Sequence, residues 1–177
     1  QAMAAEMRFS PRVAFVEGDD LRDREADIRK HGLSDMFTGR RLPDEAMIGS
    51  LNAYLGAFPI ASALDRAADV VITGRVVDSA VTLAALIHEF GWTAEDHDKL
   101  AAGTLVGHLL ECSTQVTGGT YTDWDQVPDW ANIGSPIAEC AADGSFVMTK
   151  AEGTGGLVTV GTVAEQMIYE VSDPQAY

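Results

Sequence analysis

Basic residues are scarce in this chain. Twelve Lys and Arg face twenty-seven Asp and Glu, a formal net charge of −15 at neutral pH. A nucleic-acid binder needs Lys and Arg for backbone contacts, so this balance excludes that class, and it equally opposes docking on an anionic membrane. No run approaches eighteen apolar residues, so no membrane span is expected, and the first residues do not form a signal peptide. Only two cysteines occur, Cys112 and Cys140, on unlike segments. One disulfide is arithmetically possible, but two free thiols in a reducing compartment fit better, which places the protein in the cytoplasm. There is no GxGxxG, no HExxH and no P-loop order, so no dinucleotide, zinc-protease or nucleotide fingerprint is present. Neither a metal nor a particular cofactor is implied. The chain also lacks a Met start and a polar tail, opening on QAMAAEMRF and closing on DPQAY. Together these suggest part of a longer polypeptide.

What is present is a chain of 177 residues, 46% apolar, enough for one domain with a real core. Its centre is DVVITGRVVDSAVTLAALIHEF, Asp69 to Phe90. A β-branched run, a glycine and then a helical period make the joint of an α/β fold. Ligands of such folds gather at the carboxyl ends of strands, where Thr73, Gly74, Arg75 and Asp78 fall. Gly74 would let the chain turn, helix amides would receive an anion and Arg75 would add a forked pair of donors, with Asp78 orienting it or acting as a base. The competing reading is a helix cap beside a surface arginine.

Elsewhere, Ala2–Met7 reads as the end of a helix, Arg12–Glu17 as a strand and Leu21–Lys30 as a surface helix stopped by Gly32. Glu45–Phe58 has a helical period with Ile48, Leu51 and Leu55 inward, and after Pro59 a short helix resumes to Ala67. Helices are expected over Asp78–Phe90 and Asp96–Cys112, the second with Gly103 and Gly107 four apart, a spacing that allows two backbones to approach. Gln115–Ile137 has no period but carries two tryptophans, so it reads as an ordered loop. Ala142-Asp143-Gly144 separates two strands of a hairpin, Ile137–Cys140 and Phe146–Thr149. Leu157–Val160 is a further expected strand and Thr162–Glu170 a helix, ended by Asp173-Pro174. The architecture expected is one three-layer α/β/α domain over residues 1–177, with a mostly parallel sheet and a long loop or hairpin insertion.

Three further stretches could carry chemistry. His108 and Glu111 share a helical face as a candidate acid–base pair, against a histidine held for structure or two or three metal ligands. Cys112 beside them reads as a small buried hydrophobe. The loop Gln115–Asn132 offers Gly118, Gly119, Asp123 and Asn132 among aromatics, suited either to a pocket wall or to an Ω-like loop with its tryptophans in a satellite core. Asp123 would be a proton carrier if that loop folds over a ligand. Finally, Lys150-Ala-Glu-Gly153-Thr154-Gly155-Gly156 has the composition of a phosphate cradle without the P-loop order. His31, His88 and His97 read as helix or surface residues.

The motifs ITGRVVDSAVTLAALIHEFGW, AAGTLVGHLLECSTQVTGG, DWANIGSPIAE and KAEGTGGLVTVGTVAEQMIYEVSDPQAY resemble the acyclic terpene utilisation AtuA family. The likeness runs from about Asn52 onward and more weakly through Arg12–Glu17. It implies a bacterial role in catabolism of citronellol-like and geraniol-like acids as CoA thioesters. It supplies no catalytic residues. The function expected is therefore a component of acyclic terpenoid or branched acyl-CoA catabolism, an enzyme acting on an acyl-CoA or carboxylate. The alternative is a non-catalytic accessory or assembly domain. The partners expected are a small anionic substrate such as a CoA thioester, and further copies or another part of the same polypeptide.

Overall fold

The computed structural model describes residues 10–171, with the side chain of Ala46 excepted. The expected helix at Ala2–Met7 and the Asp173-Pro174 stop lie outside them. The chain divides between Val77 and Asp78 into two compact units.

In the first unit, β1 (Val13–Val16) pairs in parallel with β2 (Val70–Thr73), Phe15 opposite Ile72. Helix α1 (Glu25–Lys30) follows a single 3₁₀ turn, and Gly32 ends it in the left-handed conformation. Helix α2 (Phe58–Asp65) connects back toward β2 and buries Ile60, Ala61 and Ala63. Pro59 sits in its first turn, where a missing N–H costs nothing. The helix expected over Glu45–Phe58 does not form. One 3₁₀ turn (Glu45–Met47) gives way to extended chain whose backbone is taken by strand-like bridges, Asp20 with Asn52 and Leu55 with Val76. The apolar period there was real, yet cross-chain hydrogen bonds outcompeted a local helix, and Leu51 and Leu55 are half-buried without it.

In the second unit, α3 (Ala80–Phe90) ends at Gly91, whose left-handed backbone (φ 64°) stops the helix. Helix α4 (His97–Glu111) packs on it through the glycine pair. A Cβ on Gly107 would stand 2.5 Å from the Ser79 carbonyl oxygen, and one on Gly103 would stand 2.7 Å from Leu83 Cδ1. The spacing of those glycines does allow the close approach the sequence suggested. Ala84, Ile87, Val106 and Leu109 fill the seam, and Trp92 closes one end, donating its indole N–H to the Ala142 carbonyl at 2.9 Å.

The hairpin is present as β3 (Pro136–Cys140) and β4 (Phe146–Lys150), antiparallel, with Cys140 opposite Phe146. Helix α5 (Val160–Met167) begins at a reciprocal cap between Thr159 and Thr162. The strand expected at Leu157–Val160 is not formed; Leu157 and Val158 lead into that cap instead. The class is mixed α/β. In place of one three-layer arrangement, the described residues form two separate two-stranded sheets, one parallel and one antiparallel. The Asp143-Gly144 turn pairs β3 with β4 locally, so neither extends the parallel pair.

Candidate functional site

The predicted anion corner lies at the carboxyl ends of the two parallel strands, where the Gly74 and Arg75 amides are bonded within the protein. Gly74 N–H donates to the Val16 carbonyl at 2.9 Å, and Arg75 N–H donates to Asp19 Oδ2 at 2.9 Å. Asp19 also accepts from Asn52 Nδ2 at 2.9 Å. These donors, Arg75 N–H foremost, hold its carboxyl below the usual carboxylate range. A Cβ on Gly74 would overlap the Asp19 carboxylate, so glycine is what admits it. The Asp19 carboxylate thus lies at the strand ends, against Gly74 and the Arg75 N–H. Thr73 is half-buried beside it, and the Arg75 side chain is exposed. Asp19 and Asn52 were not picked out from sequence; the only signal was an acidic pair directly after a strand.

The glycine-rich stretch after β4 is likewise closed on itself and on the preceding loop. Gly155 N–H donates to Asn132 O (2.7 Å), Gly156 N–H to Pro128 O (2.8 Å) and Leu157 N–H to Thr117 O (2.8 Å). Lys150 Nζ donates to the Thr154 carbonyl at 2.8 Å, and the Thr154 hydroxyl to Ala151 O at 2.6 Å. Asn132 Nδ2 donates to Gly153 O at 3.3 Å. Gly118 and Gly119 N–H donate to Gln115 O and Thr114 O. A Cβ on Gly155 would overlap the Asp129 carbonyl oxygen. Two loops therefore interlock backbone to backbone. Thr117 is fully buried at their centre, with its hydroxyl donating to Gly134 O at 2.7 Å or Thr114 O at 3.1 Å. An anion cradle needs several free N–H groups pointing at one spot. Gly155, Gly156, Gly118 and Gly119 point theirs into protein.

Asp123 is exposed, and its carbonyl accepts the Gln126 N–H of a 3₁₀ turn. The tryptophans of this loop do not form a satellite core: Trp124 is 65% and Trp130 45% exposed. Short 3₁₀ turns and the carbonyl–amide bonds above, rather than aromatic burial, order the segment.

His108 and Glu111 do come together. Nδ1 meets Glu111 Oε1 at 3.0 Å, and Nε2 donates to the Gln166 carbonyl at 2.8 Å, since a carbonyl can only accept. One proton then lies between Nδ1 and the carboxyl. Burial raises the Glu111 carboxyl, opposed by His108 and reinforced by the charges of Asp78 and Glu170. Asp78 is exposed and reaches this pair through its charge. Gln166 returns the contact, donating Nε2–H to the His108 carbonyl at 3.0 Å. The two hydrogen bonds between His108 and Gln166 clamp α4 to α5. Burial likewise pushes the Cys112 thiol up, away from nucleophile chemistry. Gln166, 2% exposed, is the partner the sequence reading missed; its i,i+4 spacing from Thr162 marks a buried polar face.

Among the described residues no three His, Cys, Asp or Glu side chains group so as to hold a metal ion, and no helix is long and apolar enough to cross a membrane. A family model described as acyclic terpene utilisation family protein AtuA matches residues 1–177. No curated protein and no solved structure matches the chain.

Proposed function

From the premise that the chain belongs to the acyclic terpene utilisation family AtuA, we propose that it serves as a non-catalytic accessory or assembly domain in acyclic terpenoid or branched acyl-CoA catabolism, its 177 residues acting as one functional domain. One observation carries this reading over the enzymatic one. The amides best placed to receive a carboxylate or phosphate, at Arg75, Gly155 and Gly156, each donate to an oxygen of the protein itself. Binding an anion there would break two or more internal hydrogen bonds, each worth about 0.5–1.5 kcal/mol, before any ligand contact formed.

The second reading, an enzyme acting on an acyl-CoA or carboxylate, draws on the shared proton of His108 and Glu111 and on the exposed Arg75 guanidinium. In that reading His108, Glu111 or Asp123 moves the proton. The two readings part in one experiment. The protein is incubated with branched acyl-CoAs and free CoA, and thioester loss and binding heat are followed. The assembly reading expects neither turnover nor saturable binding. Turnover abolished by His108→Ala, or saturable binding abolished by Arg75→Ala, would reverse the order of the two.

A further inference from the structure

Helix α5 is built with its faces exchanged. Its buried residues are the polar Thr162 and Gln166. Its apolar residues Val160, Val163 and Met167 recur at i, i+3 and i+7; Val160 is 88% and Met167 47% exposed, with Val163 half-buried between them. Ile168, just past the helix, continues the stripe at 62% exposed. A surface helix normally turns such a stripe inward, so an outward one marks a contact surface. Met148 of β4 and Val158 stand beside it and complete an open apolar groove of about 490 Å³.

The net charge of the second unit selects the partner. Residues up to Val77 hold ten basic and twelve acidic side chains, a net −2, whereas residues from Asp78 onward hold two and fifteen, a net −13. Both lysines of the second part are engaged, Lys99 with Asp96 at 2.8 Å and Lys150 with the Thr154 carbonyl. Glu165 and Glu170 lie on or just beyond α5, at whose C-terminal end the helix dipole is negative. A second copy of the chain would bring −13 against −13. A polypeptide of opposite charge gains both from the stripe and from the field.

We propose that the groove between β4 and α5 is the docking site for a cationic amphipathic helix of a partner protein. Its apolar side chains, spaced i, i+3/i+4 and i+7, fill the groove, and its Lys and Arg are drawn by the net negative charge of this unit. This rests on the assembly reading above for its biological sense, while its geometry is independent of it.

The test uses the full chain and three synthetic helices of about 18 residues: an amphipathic Leu/Lys helix, its Leu/Glu counterpart, and a Leu/Lys peptide of the same composition scrambled to remove the apolar face. Affinity is read by fluorescence anisotropy for the parent chain, Val160→Asp and Met167→Glu. Both positions are solvent-facing, and an acid at the first turn suits the helix dipole, so the fold survives, which far-ultraviolet circular dichroism verifies. The amphipathic Leu/Lys helix is expected to bind at least about tenfold more tightly than either control, to weaken as salt is raised, and to lose about tenfold with either substitution. Equal affinity for the Leu/Lys and Leu/Glu helices, or unchanged affinity in both variants, would overturn the proposal. So would self-association of the chain that Met167→Glu abolishes. Acyl-CoA turnover, assayed separately, bears on the assembly reading alone and leaves the peptide result to decide the docking site.

Discussion

Replacing Gly155 by alanine tests whether the glycine-rich loop is an internal fastening or a ligand cradle. The added Cβ would overlap the Asp129 carbonyl oxygen and stand 2.7 Å from the Pro128 carbonyl oxygen. Both obstacles are backbone, so no side chain can swing away. Making room separates the loops and forfeits Gly155 N–H to Asn132 O and Gly156 N–H to Pro128 O. Two buried hydrogen bonds at about 0.5–1.5 kcal/mol each, with about 1–3 kcal/mol for the forced overlap, put the loss near 4 kcal/mol. For a chain of this length that lowers the melting temperature by about 8–16 °C. Gly153→Ala is the comparison. Gly153 has φ +75° with nothing within 4 Å of a Cβ, so alanine there meets only the left-handed penalty of about 1–2 kcal/mol. Thermal unfolding followed by circular dichroism should therefore rank parent, Gly153→Ala, then Gly155→Ala, with the second loss clearly the larger. Equal melting temperatures for parent and Gly155→Ala would refute the interlocked-loop account.

Other expectations follow from the same geometry. Because burial raises the Glu111 carboxyl in the folded state, the folded protein binds that proton more tightly than the unfolded chain. Stability from this group falls as pH rises through the unfolded value of about 4.3 toward the folded one. Glu111→Gln, which keeps a group able to meet His108 Nδ1, should flatten that part of the denaturation-midpoint-versus-pH curve; an unchanged slope would remove Glu111 as its source. Asp96 behaves oppositely. Bonds from Lys99 and Thr93 hold its carboxyl well below the ordinary range, so its contribution is present above the unfolded carboxylate value and is lost as pH falls; Asp96→Asn should lessen the acid sensitivity of unfolding. At the strand ends, Gly74→Ala acts by displacing Asp19. Adding it to Asp19→Ala should therefore bring no further destabilisation, and additive losses in the double variant would contradict the shared mechanism. Acrylamide should quench Trp124 and Trp130 readily and Trp92 poorly, so Trp124→Phe/Trp130→Phe should leave a protected emission.

Much of the secondary structure was legible because its signals are local. Val70–Thr73 is β-branched and bounded by Gly74; Gly91 and Gly32 stop helices where their left-handed backbone requires them; Asp143-Gly144 makes the hairpin. Glu45–Phe58 was misread because its apolar period is compatible with a helix, while its true partners, Asp20 and Val76, lie far along the chain. The candidate site was legible as a set of places and not as chemistry. Composition marked Gly74-Arg75 and Lys150–Gly156 as positions where backbone comes close to something. It could not say that the something is Asp19 in one case and the Pro128 and Asn132 carbonyls in the other. His108 with Glu111 was found from i,i+3 spacing, but Gln166, which occupies the remaining ring nitrogen through its carbonyl, comes from another helix.

The central claim is that the Arg75, Gly118, Gly119, Gly155 and Gly156 amides are committed within the protein. Amide ¹H–¹⁵N shifts recorded while a branched acyl-CoA is titrated into the full chain test it most directly. The account predicts that Arg75, Gly118, Gly119, Gly155 and Gly156 keep their resonance positions through the titration. Saturable shifts at Gly155 and Gly156, or at Arg75, would contradict it.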